Sequence, residues 1–154
     1  MTNNDIIRRL RYAFDYSDEQ VQQLMASAGF EATRTMVKNW LRKDDDDQLV
    51  HLEDPELAAF LNGLINIKRG KKEGPLAKLE DPLTNNMILR KLKIALSMQS
   101  EDILATLDLM DMRISKHELS AFFRHPDQPQ FRPCKDQVLR KFIYGLQKKY
   151  RPQK

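Results

Sequence analysis

Thr2-Asn3-Asn4-Asp5-Ile6-Ile7-Arg8-Arg9-Leu10 returns 82 positions later as Thr84-Asn85-Asn86-Met87-Ile88-Leu89-Arg90-Lys91-Leu92. Self-similarity at a fixed offset marks a repeat architecture and takes precedence over any element-by-element reading. The register holds without a gap from 2–69 onto 84–151, with about 17 of 68 aligned pairs identical. Its far end pairs Leu57-Ala58-Ala59-Phe60-Leu61-Asn62-Gly63-Leu64 with Leu139-Arg140-Lys141-Phe142-Ile143-Tyr144-Gly145-Leu146. The division expected is therefore a first repeat over 1–70, a linker over 71–83 punctuated by Gly74-Pro75 and Pro82, and a second repeat over 84–154.

Each copy reads as four helices. Apolar residues at i, i+3 and i+7 place Ile7, Leu10 and Phe14, and in the second copy Leu89, Leu92 and Leu96, on one helical face. The second helix carries Val21, Leu24, Met25 and Ala28 and opens with a capping box, Ser17 with Gln20. The third opens at Thr33, or at Ser115 with Glu118, and buries Val37, Trp40 and Leu41, matched by Leu119, Phe122 and Phe123. The fourth opens at Asp54-Pro55, read as an N-cap followed by proline, and buries Leu57, Phe60, Leu61 and Leu64. The one strand-like stretch, Leu49 to Leu52, has Pro133 in its counterpart and reads as an extended loop. The expected fold is all-α: two tandem repeats of about four helices each, packed with pseudo-two-fold symmetry. A unit of ~70 residues buries only ~60% of its unfolded surface. The copies are therefore expected to pack on each other or on a second chain.

The paired TNN openings and the paired FLNGL and FIYGL segments resemble the YehS-like family of bacterial proteins, over essentially the whole chain. That resemblance implies two copies of a helical domain of unknown function as the family's design. It carries no catalytic or binding role onto any residue.

Composition narrows the function classes. Hydrophobic residues make up 41% and charged residues 31% of the 154 positions, so a core is available but small. The single Cys134 permits no internal disulfide, which fits a reducing cytosol. The charged N-terminus lacks the apolar stretch of a signal peptide, and no apolar run approaches the ~20 residues of a membrane span. The chain reads as cytoplasmic, without a membrane partner. Residues 1–82 carry 12 Lys/Arg against 15 Asp/Glu, a net −3, whereas residues 83–154 carry 14 against 7, a net +7. A basic half joined to an acidic one points either to contact between the halves or to an anionic partner for the second.

Several positions recur as binding candidates. Asn4 and Asn86 sit at the openings of their copies, where one asparagine per copy serves as an N-cap and the other is available to a partner, an anion or the other repeat. Arg8 with Arg90, Arg42 with Arg124, and Arg69 with Arg151 are duplicated basic residues, readable as salt-bridged faces or as a duplicated anion surface. Gly63 and Gly145 fall mid-helix, where glycine costs roughly 1 kcal/mol against alanine, so another element is expected to approach closely. Asp44 to Asp47 lack the spacing and terminal glutamate of a calcium loop and read as a solvated turn. His51, His117, His125 and Cys134 show no metal-ligand spacing, and no nucleotide-binding or nucleophile motif is present, so no cofactor is expected. Helix two, Gly29-Phe30 and Thr33 to Lys43 outline a helix-turn-helix offering Arg34, Lys38, Arg42 and Lys43. The second copy offers Lys116, Arg124 and His125, with Asp111 in place of the glycine. The basic tail Lys148-Lys149-Tyr150-Arg151 adds to it, while the four aspartates of copy one would repel phosphate. The leading expectation is a non-enzymatic interaction module that binds a protein partner or self-associates. The alternative is a nucleic-acid-binding regulator.

Overall fold

Each repeat opens on a threonine. Thr2 and Thr84 hold extended backbone conformations, and their hydroxyls accept from the amides of Asp5 and Met87, starting α1 (Asn3–Ala13) and α5 (Asn85–Ala95). The computed structural model describes residues 1–151; positions 152–154 of the second-repeat segment 84–154 lie outside the described residues. The capping boxes read from sequence start α2 (Asp18–Ser27) at Ser17 and α7 (Lys116–Ala121) at Ser115. Thr33 caps α3 (Arg34–Trp40), Glu53 precedes α4 (Asp54–Arg69), and α6 (Ser100–Asp108) and α8 (Asp136–Tyr150) complete two sets of four. Residues 49–52 form no strand, and all regular structure among the described residues is helical.

Two expectations shift. The N-caps are Thr2 and Thr84, not asparagines. The fourth helix starts one residue early, with Asp54 as its first residue and Pro55 as its second, because the Asp54 carboxylate is engaged elsewhere. It accepts from the Asn3 side chain (2.7 Å) and from the Leu83 amide (2.9 Å), tying the linker's end to the first repeat.

The turn between the second and third helices is the same in both copies despite different residues. Gly29 has φ +89° and its counterpart Asp111 has φ +58°. Aspartate is among the few residues with a side chain that enter this left-handed region readily. Replacing the glycine therefore leaves the path of the chain unchanged.

Within a repeat, the second and fourth helices cross at backbone contact. A Cβ on Gly63 would run into the Leu24 carbonyl, and one on Gly145 into the carbonyl of Thr106, the residue equivalent to Leu24. The recurrent glycine is thus explained by packing inside each copy. Between repeats, α1 packs on α8 and α4 on α5. These pairings are reciprocal to the residue. Lys91 on α5 donates to Asn62 on α4 (2.7 Å), and the equivalent Arg9 on α1 lies 4.0 Å over the ring of Tyr144 on α8. Arg69 bonds Ser97 at the end of α5, and the equivalent Arg151 bonds Asp15 at the end of α1 (2.8 Å). An interface in which residue i meets j and the second i meets the second j is two-fold by construction. The linker crosses only the α4–α5 side. There Glu80 pairs with Lys91 (2.9 Å), and Leu76 lies where a side chain on Gly29 would be. Eight consecutive residues of α4, Leu57 to Leu64, are buried, whereas α8 exposes Arg140 at the position of Ala58.

Gly63→Ala and Gly145→Ala are expected to lower stability by about 1–3 kcal/mol in urea unfolding. The same change in an open helix would raise it by about 1 kcal/mol. Expressed alone, residues 1–70 lose the partners of α1 and α4. Circular dichroism and sedimentation are expected to show an unfolded chain that gains helix only as it dimerises.

Candidate functional site

The tandem asparagines bind the loop between the third and fourth helices. Asn4 donates from Nδ2 to the carbonyls of Trp40 (3.0 Å) and Val50 (2.9 Å) and accepts the Leu52 amide on Oδ1 (3.0 Å). Asn86 repeats all three bonds with Phe122 (3.0 Å), Arg132 (2.9 Å) and Cys134 (2.8 Å). Asn3 and Asn85 add bonds to Leu52 and Cys134 carbonyls and to Asp54 and Asp136. Both amide hydrogens of Asn4 and of Asn86 are therefore engaged in holding a loop across the first helix of the repeat. That loop carries the residues of the site.

In the first repeat the site is closed by acids. Arg8 donates to the Arg42 carbonyl (2.8 Å) and pairs with Asp5 (2.5 Å) and Asp44 (2.6 Å). Arg42 bonds Asn39 (2.9 Å) and pairs with Asp46 (3.2 Å). Burial pushes the Asp5 carboxyl up, but hydrogen bonds from Thr2 and the Arg8 guanidinium outweigh it and hold the group below its ordinary 3.8. The Gln48 amide and Arg42 hold Asp46 below its ordinary value as well.

The second repeat keeps both arginines and loses all three acids. Asp5, Asp44 and Asp46 are replaced by Met87, Pro126 and Gln128. The one acid retained, Asp127, corresponds to Asp45, and it engages the His125 ring (3.4 Å), not an arginine. Arg90 reaches the Phe123 carbonyl (2.5 Å) and has no carboxylate partner among the described residues. Arg124 is half-buried, and its Nε is buried without any partner among them. Around these two lies a cleft of about 640 Å³, walled by Met87, Phe123, Pro126, Phe131 and Pro133. Such a volume falls in the range of ligand sites, and apolar walls with few polar groups are their usual make-up. The opening of α5 borders the cleft and has no acid in its first turn, whereas α1 has Asp5. Cys134 also borders it, but burial and the nearby Asp136 push the thiol up to about 12, which keeps it protonated and unreactive.

Of the candidate residues, the structure brings Asn86, Arg90 and Arg124 together. Lys116 lies apart on α7 and bonds Glu101 (2.7 Å), which lowers the Glu101 carboxyl. Lys148 reaches the Leu109 carbonyl (3.3 Å), Lys149 lies near the Tyr150 ring, and Arg151 staples α8 to α1. Sequence reasoning missed Met87, Phe131 and Pro133. The available signal was the loss, position by position, of the acids beside the two shared arginines.

Asn4→Ala leaves two carbonyls and one amide without partners, and each orphaned group costs about 1–3 kcal/mol. It is expected to lower the unfolding midpoint more than Thr2→Ala, a cap loss worth ~1 kcal/mol. Asp5 and Asp46 titrate lower in the folded state than unfolded. Their contribution is therefore complete above the unfolded value of about 4 and is lost as pH falls through the folded values. Hydrogen exchange between pH 5 and 3 is expected to show the 43–50 loop opening before its counterpart at 125–132.

The chain is 42% identical over 147 residues to uncharacterized protein YehS of Escherichia coli strain K12, which spans 95% of this chain and 94% of that protein. No solved structure matches it. The model of the family described as protein of unknown function (DUF1456) matches twice, over residues 3–70 and 85–151, the same two units that the helices and the asparagine clamps mark out. The chain belongs to this family.

Proposed function

We propose that the protein is a non-enzymatic binding module whose second repeat takes an anionic group between Arg90 and Arg124. The observation that carries this reading is the contrast between copies. The same two arginines meet three carboxylates in the first repeat and none in the second, where an apolar-walled cleft lies beside them. An uncompensated guanidinium beside a low-dielectric wall attracts an anion more strongly than a solvated surface charge does. The groups in the cleft that could supply chemistry are poorly placed for it. Cys134 is held as a thiol, and His125 is exposed and bonded within its own loop.

Nucleic acid is the second reading, and the α1–α8 side favours it through Arg9, Lys148, Lys149 and Arg151 beside Tyr12, Tyr144 and Tyr150. Much of that charge is engaged internally: Arg9 stacks on Tyr144 and bonds Gln147, and Arg151 lies over Tyr12 and pairs with Asp15. The short α7 offers Lys116, already bonded to Glu101. The surface therefore supports weak binding of phosphate backbone at best, with a steep salt dependence.

Titration of the amide spectrum with inorganic phosphate is expected to move resonances in 87–90 and 122–134. Arg124→Gln is expected to abolish the shifts and Arg42→Gln to leave them. Shifts confined to residues 144–151, or unchanged by Arg124→Gln, would overturn the assignment of the cleft.

A further inference from the structure

Resting on that reading of the cleft, we infer that its occupant is a short acidic segment of another protein, with two carboxylates two residues apart and an apolar side chain beside them. The first repeat supplies the template. Its loop places Asp44 on Arg8 and Asp46 on Arg42, while Asp45 between them pairs with neither arginine. Lys43 to Asp46 form a turn closed by the Asp46 amide on the Lys43 carbonyl (3.1 Å), so one short turn of chain delivers both carboxylates to both arginines. The second repeat presents the same arginines on a loop held by the same three asparagine bonds. What it lacks is the acidic segment, because Pro126 and Gln128 stand where Asp44 and Asp46 stand in copy one. A segment binding in trans would restore the pairing that the first copy makes in cis.

Carboxylate is favoured over phosphate by the first copy, where aspartates meet the equivalents of both arginines. Phe123, Phe131, Pro126 and Met87 give the cleft its apolar walls, with Thr84 and His125 among its polar groups. The apolar walls match a side chain flanking the acids. Of the acids nearest the cleft, Glu80 lines it and pairs with Lys91 through Oε2, its Oε1 having no partner among the described residues, and Asp127 engages His125.

The test uses the full chain and a labelled peptide with the sequence of Lys43–Val50, KDDDDQLV, followed by anisotropy at ~50 mM salt. Binding is expected, with a loss on the order of tenfold or more in Arg90→Gln and in Arg124→Gln. Pro126→Asp combined with Gln128→Asp puts the two acids back in cis. It is expected to abolish peptide binding while keeping or raising the melting temperature, which separates a filled site from a damaged fold. Replacing the peptide's first and third aspartates, the equivalents of Asp44 and Asp46, by asparagine together is expected to weaken it more than replacing the second and fourth together. If inorganic phosphate moves the cleft resonances and the peptide does not bind, the inference falls and the binding reading stands. If neither engages the cleft, both fall. Peptide binding unaffected by Arg124→Gln, or a random oligonucleotide binding the cleft more tightly than the peptide, also overturns it.

Discussion

The structure depends on a seam that neither repeat can complete alone. In each copy the first helix packs its apolar stripe on the fourth helix of the other copy, giving α1 on α8 and α4 on α5. A unit of this size buries only ~60% of its unfolded surface by itself, and the seam adds to that burial. Fusing the copies in one chain removes the rule that a true two-fold imposes. In a homodimer every substitution at the seam occurs twice. Here Lys91 meets Asn62 on one side while Arg9 meets Tyr144 on the other, and Arg69 meets Ser97 where Arg151 meets Asp15. The helix pairing is kept while the polar partners differ.

Much of this fold was legible in the sequence because helical period and exact repetition are local signals. The unread parts depended on distant residues. Threonine and asparagine are both good caps, so composition does not decide which of Thr2, Asn3 and Asn4 caps. The decision comes from residues 36 to 49 positions away, where Asn4 takes the Trp40 and Val50 carbonyls and the Leu52 amide and Asn3 takes the Leu52 carbonyl. The one-residue shift at Asp54 has the same origin, since its carboxylate is drawn to Asn3 and to Leu83 in the linker. Asp111 looked like a departure from Gly29, but backbone angle rather than residue type is what the turn preserves.

The candidate site was harder to read because its signal is a subtraction. Arg90 and Arg124 look like any surface arginines until Arg8 and Arg42 show what such residues hold in this fold. Three acids sit in sequence at positions of no obvious kinship, one on α1 and two in a loop, and only the asparagine clamp brings them to the same arginines. Asp127 persists in the second loop at the place of Asp45, which pairs with neither arginine in the first. The acids lost are the ones that would have filled the site.

A closed copy and an open copy carry different energies. An orphaned buried donor such as Arg124 Nε costs about 1–3 kcal/mol, and no contact among the described residues returns it. An isolated repeat with so small a core would bear that cost poorly. The tandem arrangement distributes it, because the first repeat has its charges paired and lends α1 and α4 to the second across the seam. On the reading proposed above, an anion would gain more at the half-buried Arg124 than at the exposed Arg90, since binding there would also relieve the buried donor. The three acids lost beside the shared arginines account for three of the ten charges that separate the halves, and they leave Arg90 and Arg124 of the basic copy without carboxylate partners among the described residues.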